Sequence, residues 1–106
     1  MDSYVLLVTV SSVTEAKTIA RALVEERLAA CINIIPGLSS IYQWQGKVCE
    51  DQELLLLIKA QGSQVAALRE RIAYLHSDVV PEVITLPISD GSTRYLKWLD
   101  SCLASS

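Results

Sequence analysis

Residues 28–59 read LAACINIIPGLSSIYQWQGKVCEDQELLLLIK, and the fold turns on how this stretch is understood. It divides into two arms around Gln45-Gly46, where glycine takes a positive φ without strain, so a β-hairpin is expected. In the first arm Ala30, Ile32 and Ile34 alternate with Cys31, Asn33 and Ile35, which puts Cys31 and Asn33 on one face. Pro36-Gly37 interrupts that arm. Proline donates nothing to a ladder and glycine admits unusual dihedrals, so a bulge or sharp bend is expected there. Beyond it, Tyr42 and Trp44 project to one face and Ile41 to the other. The second arm ends in Leu54-Leu55-Leu56-Leu57-Ile58, a run whose shortness and neighbouring turn favour a strand buried on both faces. Cys49-Glu50-Asp51-Gln52-Glu53 precedes it, so the tip is wetter than the base. Ordinary strands run ~5–6 residues. One domain of this size cannot cover such a hairpin, and the economical partner for its edge is another copy of the chain.

Working outward, Tyr4–Val10 (YVLLVTV) predicts a central strand buried on both faces. Ser12-Val13-Thr14-Glu15 fits a capping box, a hydroxyl followed three positions later by a carboxylate. Ala16, Ile19, Ala20, Leu23 and Val24 then make the apolar stripe of a helix. After the hairpin, Gln61-Gly62-Ser63 marks a break and an N-cap. Val65, Leu68, Ile72 and Leu75 continue as a second amphipathic helix that ends near His76. Val83-Ile84-Thr85-Leu86 is a strand between Pro81 and Pro87, and Ser89-Asp90-Gly91-Ser92 opens a last helix with Tyr95, Leu96, Leu99 and Leu103 inward. The order β-α-β-β-α-β plus a helix is the ferredoxin-like, split βαβ arrangement of the α+β class, with two helices on one sheet face. The other face is apolar as well, and oligomerisation would hide it.

The 106 residues are expected to form one domain spanning 1–106. With 51% hydrophobic residues and no Phe, the core is aliphatic. A net charge of −3 and no basic stripe argue against nucleic acid. No apolar run approaches the ~20 residues of a membrane span. Asp2 and the missing small-residue cleavage site argue against a signal peptide, so three unpaired, widely spaced cysteines read as free cytosolic thiols.

The pieces LAAC (28–31), NIIPG (33–37), SIYQWQGK (40–47), the run from Leu54 to Lys59, VPEVI (80–84), LPI (86–88) and YLKWL (95–99) together resemble the CutA family of divalent-cation tolerance proteins. The resemblance covers nearly the whole chain in order. It implies a homotrimer, similar in architecture to nitrogen-regulatory PII proteins, with long hairpins pairing between subunits. It also implies binding of copper or another divalent cation without an organic cofactor, and a role in metal tolerance rather than catalysis. At the end of the first strand, where family members often carry a cysteine, this chain has Val8-Thr9-Val10. His76-Ser77-Asp78 stands where the family usually has His-Pro-Tyr.

His76, Cys31 and Glu82 are the candidate metal ligands, His76 favoured by the resemblance and Cys31 by its thiol, with Asp78, like Glu82, an oxygen donor near His76. As imidazole, His76 suits copper or zinc; as the residue ending a helix it also suits a C-terminal cap. Cys31 suits monovalent copper, or it is a small buried hydrophobe. Cys49, near the polar tip, is expected to be the more exposed thiol, and Cys102 structural. Glu50, Asp51 and Glu53 form an acidic patch, most simply a solvated surface. Asn33, Trp44 and Lys59 are candidates to line a cleft between subunits; alternatively Trp44 packs an interface and Lys59 pairs with an acid. No nucleophile–base pair or phosphate loop is apparent, and an enzyme is not expected. The alternative function is a PII-like adaptor trimer that binds a small anion or partner protein.

Overall fold

The computed structural model describes residues 2–103; residue 1 and residues 104–106, the ends of the expected domain, lie outside it. β1 (Ser3–Val10) leads to α1 (Val13–Glu25), then to β2 (Cys31–Trp44) and β3 (Lys47–Gln61), α2 (Val65–Leu75), β4 (Val83–Pro87) and α3 (Thr93–Ser101). The strands form one sheet in the order β2-β3-β1-β4, antiparallel throughout. β3 separates β1 from β2, which is the split βαβ layout, and the α+β ferredoxin-like class follows.

The hairpin forms as its residues require. Gln45 (φ 51°) and Gly46 (φ 80°) are both left-handed, the two-residue turn whose twist suits antiparallel strands, and Trp44 pairs with Lys47 across it. Pairing runs from Cys31↔Lys59 to Ile35↔Leu55 and resumes at Leu38↔Glu53, so β2 carries one more residue than β3 at Pro36-Gly37. Gly37 takes φ 81° at this bulge. Outboard of it Leu38, Ser40, Tyr42 and Trp44 therefore share the sheet face of Leu55, Leu57 and Lys59.

Two further joints fix how helices meet this sheet. Ser12 caps α1: its hydroxyl accepts the Glu15 N–H at 3.1 Å. Glu15 reaches back not to the cap residue but to Ser11, whose hydroxyl donates to it at 3.2 Å. At the other end Arg27 is left-handed (φ 60°); its N–H bonds the Val24 carbonyl and the Leu28 N–H bonds that of Leu23. That is a Schellman ending with arginine where glycine is usual. The Arg27 side chain is itself anchored, donating from Nε to the Cys102 carbonyl at 3.3 Å.

The core lies between the helices and one sheet face. Leu6, Val8, Leu56, Ile58, Ile19, Leu23, Leu68 and Ile72 are fully buried there. Within the single chain β1 and β3 are fully buried on one face only. Val5, Leu7, Leu55 and Leu57 point to the opposite face and are only half-buried, while Ile84 and Leu86 on β4 are 46% and 45% exposed. Only one end of that face is covered, by α3, which lies across the sheet from α1 and α2. There the Gln61 amide donates to Asp100, and Leu99 is buried.

Three smaller expectations also change. Val24 is exposed, because the α1 stripe is narrower than its sequence pattern suggests. Tyr95 is 40% exposed, its ring tilted against Trp98 at 5.5 Å. Ser63 does not cap α2. The helix is entered through a 3₁₀ turn, Gly62–Gln64, with no side-chain cap hydrogen bond.

Candidate functional site

The half-open sheet face ends, away from α3, in a hollow of about 770 Å³. The hairpin tip contributes Tyr42, Trp44, Asp51 and Glu53 to it, β1 contributes Thr9, and the loop before β4 contributes Asp78, Val79, Val80 and Glu82. Four carboxylates and no lysine or arginine line it, so the hollow attracts cations and repels anions. The bulge delivers the aromatics here: in an unbulged run of the same residues the even-numbered Tyr42 and Trp44 would face away from Ile35. The Tyr42 hydroxyl donates to the Asp51 carboxylate, and chiefly for that reason its pKa is pushed up to about 12. Asp51, which stays exposed, and the half-buried Glu53 line this hollow. Glu50 falls on the opposite face, where it pairs with Ile41.

The loop is held at its root. His76, which ends α2, is buried; its Nε2 lies 2.7 Å from the Thr9 carbonyl and its Nδ1 accepts the Asp78 N–H at 2.9 Å. Beside it Glu15 accepts the Ser77 N–H at 2.8 Å. Burial raises the Glu15 pKa, but hydrogen bonds from Ser77 and Ser11 outweigh it and hold the carboxyl below the usual range.

The expected ligands are not assembled within one chain. Cys31 pairs with Lys59, which pairs with Val5, whereas Glu82 stands level with Thr9. At ~3.3 Å per residue those ends of β1 are roughly 13 Å apart. His76 has both ring nitrogens engaged. Among the described residues no three His, Cys, Asp or Glu side chains converge on a common point. Cys31, Cys49 and Cys102 are all free and half-buried, so Cys49 is not set apart by exposure. Cys31 lies against Tyr95, whose hydroxyl is pushed up first by burial and then by Cys31.

The cleft candidates separate similarly. Lys59 donates to the Asn33 side chain rather than to an acid. Trp44 shares their face but sits twelve residues farther out along the hairpin, roughly 40 Å away at strand rise. Glu15, Thr9, Arg27 and the Tyr42–Asp51 pair were not identified from the sequence. Only Glu15 carried a signal, the capping box, and its long-range role was not part of it.

The chain was compared with known proteins against this geometry. The family model described as "CutA1 divalent ion tolerance protein" matches residues 4–102. This chain belongs to the CutA1 family. The divalent-cation tolerance protein CutA of Thermus thermophilus is 59% identical over 95 residues, covering 90% of this chain and 92% of that protein. A solved structure of the Thermus thermophilus Cut A1 superposes with a TM-score of 0.94 at 55% identity, covering 96% and 99% of the two chains. CutA1 from Oryza sativa superposes at 0.97 with 44% identity, covering 100% and 97%. CutA1 membership extends over the hairpin, the hollow and the loop from His76 to Glu82, so the site described above lies within the shared fold.

Proposed function

We propose that this CutA1-family chain is a cytoplasmic, non-enzymatic protein that binds divalent cations, copper among them, and serves metal tolerance as a homotrimer. The observation that carries the reading is the hollow. It gathers four carboxylates and no cationic side chain on the sheet face that the helices leave open. Oxygen donors of this kind suit hard and borderline divalent ions, and the half-buried Cys31 thiol adds a soft donor for copper. A single chain does not bring Cys31 and Glu82 to one point, so a full coordination shell is proposed to draw donors from more than one copy. The half-exposed Ile84, Leu86 and Leu57 beside it are the surface that copies would cover. A small anion, the alternative ligand, finds no cation in the hollow to receive it.

Calorimetric titration with Cu²⁺ and Zn²⁺ tests the reading, together with light scattering on the same sample. Saturable binding by a trimer is expected, weakened at least about tenfold, ~1.4 kcal/mol, when Asp78 and Glu82 are replaced by Asn and Gln. A chain that takes up neither ion, or a double variant that binds both as before, overturns it.

A further inference from the structure

His76 occupies the position that the family resemblance offers to a metal, yet its surroundings assign it different work. A carbonyl oxygen only accepts, so the 2.7 Å contact with Thr9 places the ring proton on Nε2. A backbone N–H only donates, so the 2.9 Å contact from Asp78 uses the lone pair of Nδ1. The two contacts together select the neutral Nε2–H tautomer. The side chain is 1% exposed. The Glu15 carboxylate lies 3.7 Å from Nδ1 and is already receiving the Ser77 N–H.

We infer that His76 is a positioning residue and not a cation ligand. It clasps the loop 77–82 to the end of β1 and so sets the wall of the hollow that carries Asp78 and Glu82. The first two N–H groups of the loop are received by Glu15 and His76 in turn, and Thr9 anchors the ring from the far side. α1, α2 and β1 are thereby joined at the point where the loop departs. A cation at Nδ1 would have to evict the Asp78 N–H. One at Nε2 would have to strip the proton and leave the Thr9 carbonyl without its donor. Either event detaches the loop whose carboxylates the hollow needs. The inference goes beyond the cation reading and does not depend on it.

The test uses the full chain with ¹⁵N-labelled histidine. Long-range ¹H–¹⁵N correlation at neutral pH is expected to show a protonated ε2 nitrogen and an unprotonated δ1 nitrogen, unchanged by one equivalent of Zn²⁺. An Nδ1–H tautomer, an imidazolium, or ring shifts that follow Zn²⁺ occupancy overturn the inference. Hydrogen exchange gives a second readout. His76→Asn keeps an oxygen near the place of Nδ1, and its Asp78 amide is expected to stay within about tenfold of the parent's protection, while His76→Ala loses about a hundredfold. Equal exchange in parent and both variants overturns the clasp. Zn²⁺ affinity of His76→Asn within about twofold of the parent supports the inference, and a loss of about tenfold or more counts against it. If the parent takes up no Zn²⁺, the cation reading fails alone, because the tautomer and exchange measurements still decide the role of His76.

Discussion

Leu56 and Leu57 are neighbours in β3 that face opposite ways, and replacing Leu57 by Asp asks what covers the second face. Leu57 sits in the register between Leu7 of β1 and Asn33 of β2, half-buried in the single chain, whereas Leu56 is fully buried. In an isolated subunit the Asp side chain can be hydrated, and losing a half-buried leucine costs about 1 kcal/mol. In a trimer that closes over this face, each buried carboxylate costs several kcal/mol even after relaxation. Three of them sum to ~10 kcal/mol, whereas two micromolar association steps run at ten times their Kd have a surplus of only about 3 kcal/mol to lose. Light scattering during gel filtration at about 10 μM is therefore expected to show the parent at about three times 11.6 kDa. The Leu57→Asp variant should run as a folded single chain with the parent's circular dichroism. A variant that stays as large as its parent, or a parent that is itself a single chain, refutes the covered-face argument.

Leu56→Ala removes a fully buried side chain from the centre of the sheet and is expected to cost 2–5 kcal/mol in urea unfolding, the m-value unchanged. Glu15→Gln tests a pH effect whose sign follows from its lowered folded-state pKa. The Glu15 contribution is complete above the unfolded value near 4.5 and is lost as pH falls through the lower folded value. The variant should therefore lose stability at neutral pH but show a flatter acid limb below about pH 4.5 in thermal melts across pH; identical limbs would contradict the assignment. Gln45→Asn places Asn-Gly in a turn where both residues are left-handed, and should raise stability by a few tenths to 1 kcal/mol by denaturant titration.

Local chemistry was legible in the sequence wherever one residue type decides a backbone. Gly46 announced the turn, Pro36-Gly37 the bulge and Ser12 the α1 cap, and each stands where its chemistry put it. Which face an element covers was harder to see. α3 has an apolar stripe like that of α1, but nothing in residues 93–101 says that it crosses to the other side of the sheet. Runs such as Leu54–Ile58 read as buried on both faces, and periodicity registers that apolarity without saying which element of the single chain lies opposite. The hollow was hidden for a related reason: Asp51 and Asp78 are far apart in the chain and come to line one hollow only once the sheet is formed. The partner of His76 is 67 residues away, so its tautomer could not be inferred from neighbouring residues.

The single extra residue at Pro36-Gly37 works like a phase shifter for everything outboard of it. Removing one residue there would leave Ile35 and Leu38 two apart, so β2 would run straight against β3 with Tyr42 and Trp44 still opposite Cys49 and Lys47, and the kink would vanish. Hairpins of this kind can therefore keep both faces only by lengthening or shortening in even steps on each arm, and an odd change in β2 alone adds a kink or removes the one already there. Tip length is free to drift in pairs of residues, and the bulge records where the two arms differ by one.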